Sequence, residues 1–85
     1  MKQFNYEIKD ALGIHARPAG MFAKLAKEYQ STVQITKGEK TVLATQLLML
    51  MGLGVKQGDV IQITVEGPDE EVAAPAIEKF LAENL

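Results

Sequence analysis

The stretch Val60–Glu66, VIQITVE, sets Ile61, Ile63 and Val65 on alternate positions with Gln62 and Thr64 between them. A period of two is the signature of a strand with one buried face. This is the clearest strand in the chain, and the segments on either side take their assignment from it. Downstream, GPDEE introduces a last helix. Asp69 is placed to cap it, and Glu70 and Glu71 fall where the helix macrodipole favours negative charge. Ala73, Ile77, Phe80, Leu81 and Leu85 mark its apolar side. Pro75 conflicts with that helix, because inside one it removes a backbone donor at a cost of ~3 kcal/mol. Either a kink at Pro75 or a delayed helix start is expected.

Upstream of Val60, KQGD is a turn. Before it, TQLLMLMGLG is too apolar for a loop and, if it stops at Gly52, too short for a full helix, so a helix of one to two turns closed by glycine is predicted. STVQIT alternates with Val33 and Ile35 inward, and KGEK followed by TVLA supplies a hairpin partner, Gly38 allowing the turn. Nearest the start, FNYEI sets Phe4, Tyr6 and Ile8 against Asn5 and Glu7 in strand period. KDALG then turns the chain. From Ala16 the period changes: Phe22, Leu25, Ala26 and Tyr29 follow helical spacing, with Lys24, Lys27 and Glu28 on the wet side.

The element order is therefore β-α-β-β-α-β-α. Four strands that each bury one face, and helices with apolar stripes to cover them, predict an α+β open-faced sandwich. In it a four-stranded antiparallel sheet is covered on one face by three helices, the other face being wetter. Residues 1–85 form a single domain, since 85 residues leave little room for a second.

Composition narrows the function. A 47% hydrophobic and 24% charged balance is that of a soluble globular protein. The chain has no cysteine, which excludes disulfide staples and fits a reducing cytoplasm. Its opening residues lack the apolar run of a secretory signal, and no stretch is apolar enough to span a membrane. A cytoplasmic protein without membrane insertion is expected. Net charge is −2 and the basic residues are scattered, which argues against nucleic acid as a partner.

Against this plain background, LGIHARPAG (residues 12–20) holds the only histidine and the only arginine, two positions apart. Taken singly, His15 reads as a surface or capping residue and Arg17 as a solvated charge. Together, at the start of a helix, they read differently. The first-turn amides have no intrahelical partners, and those of Ala16 and Arg17, the positive end of the dipole and the guanidinium would bind a phosphate. Pro18 suits a first turn, where its missing donor costs nothing. The helix terminus and Arg17 both disfavour a charged imidazole, leaving a nitrogen lone pair free to attack phosphorus. The resulting phosphohistidine would be steadied by the same amides and by Arg17.

The rest of the chain lacks what an autonomous kinase or hydrolase requires. It has no nucleotide-cradling glycine loop, no second histidine and no tight carboxylate cluster, so no metal and no cofactor is expected. The phosphoryl donor should then be another protein. Leu47, Leu48, Met49, Leu50 and Met51 are five consecutive apolar residues on a short helix, which cannot hide them all. Those left exposed would make an adaptable docking surface.

GIHARPAG together with LLMLMGLGVKQGD and the EGPDEE helix start resembles the HPr family, the histidine-containing phosphocarriers of the bacterial phosphoenolpyruvate:sugar phosphotransferase system. The likeness extends over essentially the whole chain. It implies that His15 is phosphorylated on Nδ1 by enzyme I, that Arg17 assists transfer by contacting the phosphoryl group, and that the group passes on to enzyme IIA domains. It implies a common docking face of Ala16, Lys24, Leu47, Leu48, Met51 and Gly54, and a carrier that turns over only with its partners rather than an enzyme in its own right. A monomer is expected.

One departure stands out. Many Gram-positive members carry a kinase-targeted regulatory serine where this chain has Gln46, which has no hydroxyl; Thr45 is next to it. Two alternatives remain beside sugar transport. One is a carrier of a nitrogen-regulatory or dihydroxyacetone-kinase branch. The other is a non-catalytic regulatory adaptor of the same fold, although such adaptors typically lose the histidine and keep the serine, the opposite of what is found here.

Overall fold

A computed structural model describes all 85 residues. Seven elements follow in the expected order: β1 (Lys2–Glu7), α1 (Ala16–Lys27), β2 (Thr32–Lys37), β3 (Lys40–Leu43), α2 (Leu47–Gly52), β4 (Val60–Glu66) and α3 (Glu70–Asn84). The strands form one sheet in the order β1-β4-β2-β3, every pairing antiparallel. The strand with the cleanest alternation, β4, is thus central and pairs on both sides.

Register converts the period of two into faces. Phe4, Ile63, Ile35 and Val42 stand opposite one another across all four strands. The two central isoleucines of that row are fully buried, and the edge residues Phe4 and Val42 partly so. The neighbouring row, Gln3, Thr64, Gln34 and Leu43, faces away from the core, with Gln3 Nε2 donating to Thr64 Oγ1 at 3.3 Å.

The helices cover the inward rows. α3 lies on β1 and β4, α2 beside β3, and α1 packs against both other helices. Twenty buried apolar residues form a single core. Phe22 of α1 is fully buried, worth about 2–3 kcal/mol of apolar transfer, and its ring lies 5.7 Å from that of Phe80 on α3. Tyr6 Oη donates to the Leu81 carbonyl at 3.0 Å, which fastens β1 to the same helix.

Two expectations are corrected in detail, and a third is borne out. α3 starts at Glu70 and runs unbroken through Pro75, so its start is not delayed. Pro75 and Glu71 are both exposed residues, so the missing helix bond between them lies on the solvent side of α3. Asp69 occupies the N-cap position without capping: its carboxylate accepts the Gln30 amide at 2.8 Å and the Ser31 hydroxyl, pinning the α1–β2 loop to the start of α3. The expected short helix closed by glycine is found: α2 ends at Gly52, and Gly54 closes it. Gly52 is still helical, whereas Gly54 has φ +67° and its amide donates to the Met51 carbonyl at 3.3 Å.

Candidate functional site

The loop between β1 and α1 is fixed from three directions. The amides of Lys9 and Asp10 both donate to the backbone oxygen of Leu85, at 2.6 and 2.8 Å. Asp10 then closes a turn, its Oδ1 accepting the Leu12 amide at 2.8 Å and its carbonyl the Gly13 amide at 3.0 Å. Finally the Ile14 amide donates to the Val55 carbonyl at 3.2 Å, with the Ile14 side chain buried. Gly13 has φ +67° and lies so close to Val55 that a Cβ would collide with the Val55 carbonyl oxygen. Only glycine meets both demands.

His15 follows directly as the N-cap of α1, with extended backbone (φ −105°, ψ 179°). Its carbonyl accepts the Ala19 amide at 2.9 Å, but its imidazole makes no capping bond. The ring is therefore free for another task, and 36% of its side chain is exposed. The amides of Ala16 and Arg17 have no partner within the protein, and Pro18 has none to offer. Arg17 is exposed and makes no ion pair. His15, Arg17, Asp10, Pro18, Met21 and Asn84 line a shallow cleft of about 220 Å³. An imidazole, two free amides at a helix start and a guanidinium thus meet at one open cleft, a set suited to an anion that the imidazole can bind covalently.

Asp10 is the member that the sequence did not point to. Its Oδ1 lies 3.8 Å from His15 Nε2, beyond hydrogen-bond reach but facing that side of the ring. Nδ1, on the other side of the ring, has no partner. The available signal was Asp10 in a KDALG turn, two residues before the amide that it binds.

The apolar helix behaves as its composition demands. Leu50 is fully buried, while Leu47, Leu48, Met49 and Met51 are exposed, Leu48 by 82%. Ala16, Lys24 and Gly54 are exposed as well. α2 packs against α1, the helix that His15 caps, so the apolar residues and the imidazole are carried by neighbouring elements. Gln46 is the N-cap of α2 and makes no side-chain capping bond, and Thr45 beside it is half-buried. Nowhere in the fold do three or more histidine, cysteine or acidic side chains gather as metal ligands would. No helix is long and apolar enough to cross a membrane.

Comparison with known proteins decides the family. The family model described as "PTS HPr component phosphorylation site" matches residues 2–83. The chain belongs to the HPr family of phosphocarrier proteins. It is 37% identical over 83 residues to the phosphocarrier protein HPr of Lysinibacillus sphaericus, covering 98% of this chain and 94% of that one. Among solved structures it is similar to an HPr from Thermoanaerobacter tengcongensis, with a TM-score of 0.92 and 38% identity over 98% of this chain and 93% of that one. A dimeric HPr structure from the same organism matches with a TM-score of 0.77 at 38% identity, over 98% and 95% of the two chains. The open four-stranded sheet with three helices is the HPr fold, and the family is that of the phosphotransferase system's phosphocarriers.

Proposed function

We propose that this HPr-family chain accepts a phosphoryl group from phospho-enzyme I on Nδ1 of His15 and passes it to enzyme IIA domains during phosphoenolpyruvate-dependent sugar uptake. The observation that carries the reading is the part-exposed His15 imidazole, free of any capping bond, beside the unpartnered Ala16 and Arg17 amides and the free Arg17 guanidinium. The carboxylate of Asp10 lies on the Nε2 side, which favours a proton on that nitrogen and leaves the Nδ1 lone pair for phosphorus. In the first step Nδ1 attacks, a new N–P bond forms, and the donor's N–P bond breaks with its electron pair returning to the donor nitrogen. The amides and Arg17 hold the oxygens of the group in transit. The second step repeats the exchange with His15 as donor. The chain completes a cycle only with both partners and is not an enzyme by itself.

The exposed residues Leu47, Leu48 and Met51, with Ala16, Lys24 and Gly54, form the docking face for both partners. A methionine-containing surface suits two partners of different shape, because the thioether side chains repack readily. The carrier works as a monomer in the cytoplasm, and light scattering at micromolar concentration should return a single-chain mass. Without a hydroxyl at Gln46, kinase control through that position is absent.

The test is an intact mass after incubation with phosphoenolpyruvate, Mg²⁺ and a bacterial enzyme I active on a control carrier. One added phosphoryl group that mild acid removes is expected, since phosphohistidine is acid-labile whereas phosphoserine and phosphothreonine are not. With a single histidine in the chain, that result also names His15. No gain with the source organism's own enzyme I would overturn the carrier reading and favour a regulatory adaptor.

A further inference from the structure

We infer that Lys37 and Asp59 form a positioning latch for His15, acting through the α2–β4 loop. The inference rests on the phosphocarrier reading and names residues that lie outside the cleft and the docking face. Lys37 ends β2, far from His15 in sequence. Its Nζ donates to the Gly54 carbonyl at 2.8 Å and pairs with Asp59 Oδ2 at 3.1 Å, both side chains being one-third exposed. Asp59 Oδ2 also accepts the Lys56 amide at 2.9 Å, and the Asp59 amide donates to the Lys56 carbonyl at 3.0 Å. Residues 54 to 59 are thus held as one closed turn whose cation comes from another strand. The Asp59 carboxyl is held below the usual carboxylate range, first by the Lys56 amide and next by Lys37.

That turn is the buttress of the phosphorylation loop. Gly54, which Lys37 holds, is followed by Val55, whose carbonyl binds the Ile14 amide and meets Gly13 at closest approach. At the other end of the turn, Ile8 donates to the Asp59 carbonyl at 2.9 Å and Gly58 to the Ile8 carbonyl at 2.8 Å. The loop that carries His15 therefore leans on Val55, while the segment containing Val55 is held by Lys37 on its outer side. Without Lys37, Gly54 keeps no side-chain donor and Asp59 loses its ion-pair partner. The Val55 carbonyl can then drift, and Ile14 and the adjoining His15 drift with it. In a transfer that needs two imidazoles in line with phosphorus, small displacements reduce the rate.

The experiment compares wild type, Lys37→Gln, Lys37→Arg and Asp59→Asn. The first readout is the single-turnover rate from saturating phospho-enzyme I; the second is amide hydrogen exchange at Ile14 in the free protein. Lys37→Gln and Asp59→Asn should transfer about five-fold more slowly and exchange Ile14 faster, while Lys37→Arg, which keeps a donor and a charge, stays within about two-fold of wild type. Both readouts must move. An unchanged rate makes the pair merely structural and overturns the inference, and a slower rate with unchanged Ile14 exchange overturns it because the effect then bypasses Val55. If Lys37→Gln fails to fold, Asp59→Asn decides, since an asparagine can still accept the Lys56 amide. Failure of wild type to take up phosphate sinks the phosphocarrier reading instead, and the exchange measurement still tests whether the loop is latched.

Discussion

One oxygen of Asp10 serves two neighbours: Oδ1 accepts the Leu12 amide at 2.8 Å and faces His15 Nε2 at 3.8 Å. The group that shapes the turn before the site is also the group that looks at the imidazole. Asp10→Ala should slow phosphoryl transfer by about two- to five-fold, the equivalent of the up to about 1 kcal/mol that a part-exposed contact supplies. A rapid-quench rate equal to wild type would leave Asp10 as a turn residue only.

Arg17 is exposed and unpaired, so its removal should spare the fold and damage the chemistry. Arg17→Ala is expected to keep the wild-type circular dichroism spectrum and to lose about ten-fold or more in transfer rate, as loss of a charge stabiliser does elsewhere. His15→Ala should fold and take up no phosphate at all. Unfolding of either variant would mean that these side chains hold the helix start together.

Two leucines on opposite sides of α2 should give opposite phenotypes. Leu50 is fully buried, and Leu50→Ala should cost about 2–5 kcal/mol in urea denaturation. Leu48 is 82% exposed, so Leu48→Ser should leave stability within about 0.5 kcal/mol and raise the KM for phospho-enzyme I. Equal KM values for Leu48→Ser and wild type would remove Leu48 from the docking face.

Gly13 combines positive φ with contact against Val55. Gly13→Ala should destabilise by about 2–4 kcal/mol, since strain and collision add. The accompanying His15 imidazole resonances should shift, because the collision lies two residues away. A denaturation midpoint like that of wild type would show that the loop can yield at no cost.

Acid should loosen the α1–β2 junction. The Ser31 hydroxyl, and next the Gln30 amide, hold the Asp69 carboxyl below its ordinary range. A carboxyl lowered in the folded state stabilises fully above the unfolded value of about 4, and that contribution disappears as pH falls through the folded value. The melting temperature should therefore decline from pH 4 towards pH 2, and Ser31→Ala should make the decline shallower. Parallel curves for the two proteins would show that Ser31 does not set the ionisation of Asp69.

What could be read from the sequence was local. Alternation in VIQITVE, helical spacing after Ala16 and the excess of apolar side chains in LLMLM each concern residues within a few positions of one another, and all seven elements followed. The pairing of His15 with Arg17 was legible for the same reason. Asp69 shows the limit: its place before a helix suggested a cap, yet its partners Gln30 and Ser31 are more than thirty residues away. Lys37, Gly54 and Asp59 come together only once β2 and β4 are paired, and nothing in the neighbourhood of any one of them announces the others. The strand order was equally hidden, because periodicity assigns a face and not a neighbour.

That strand order has a consequence for synthesis on the ribosome. β1 is made first, yet its only partner is β4, some sixty residues later, and β2 also needs β4 on its inner side. Until Glu66 has emerged, the β2–β3 hairpin is the only sheet pairing that can exist, and the N-terminal strand waits unpaired. Such non-local closure slows folding, and a half-translated chain has only the β2–β3 hairpin to rest in. The imidazole of His15 becomes a defined chemical group only when β4, much further along the chain, is available to pair with the strand before it.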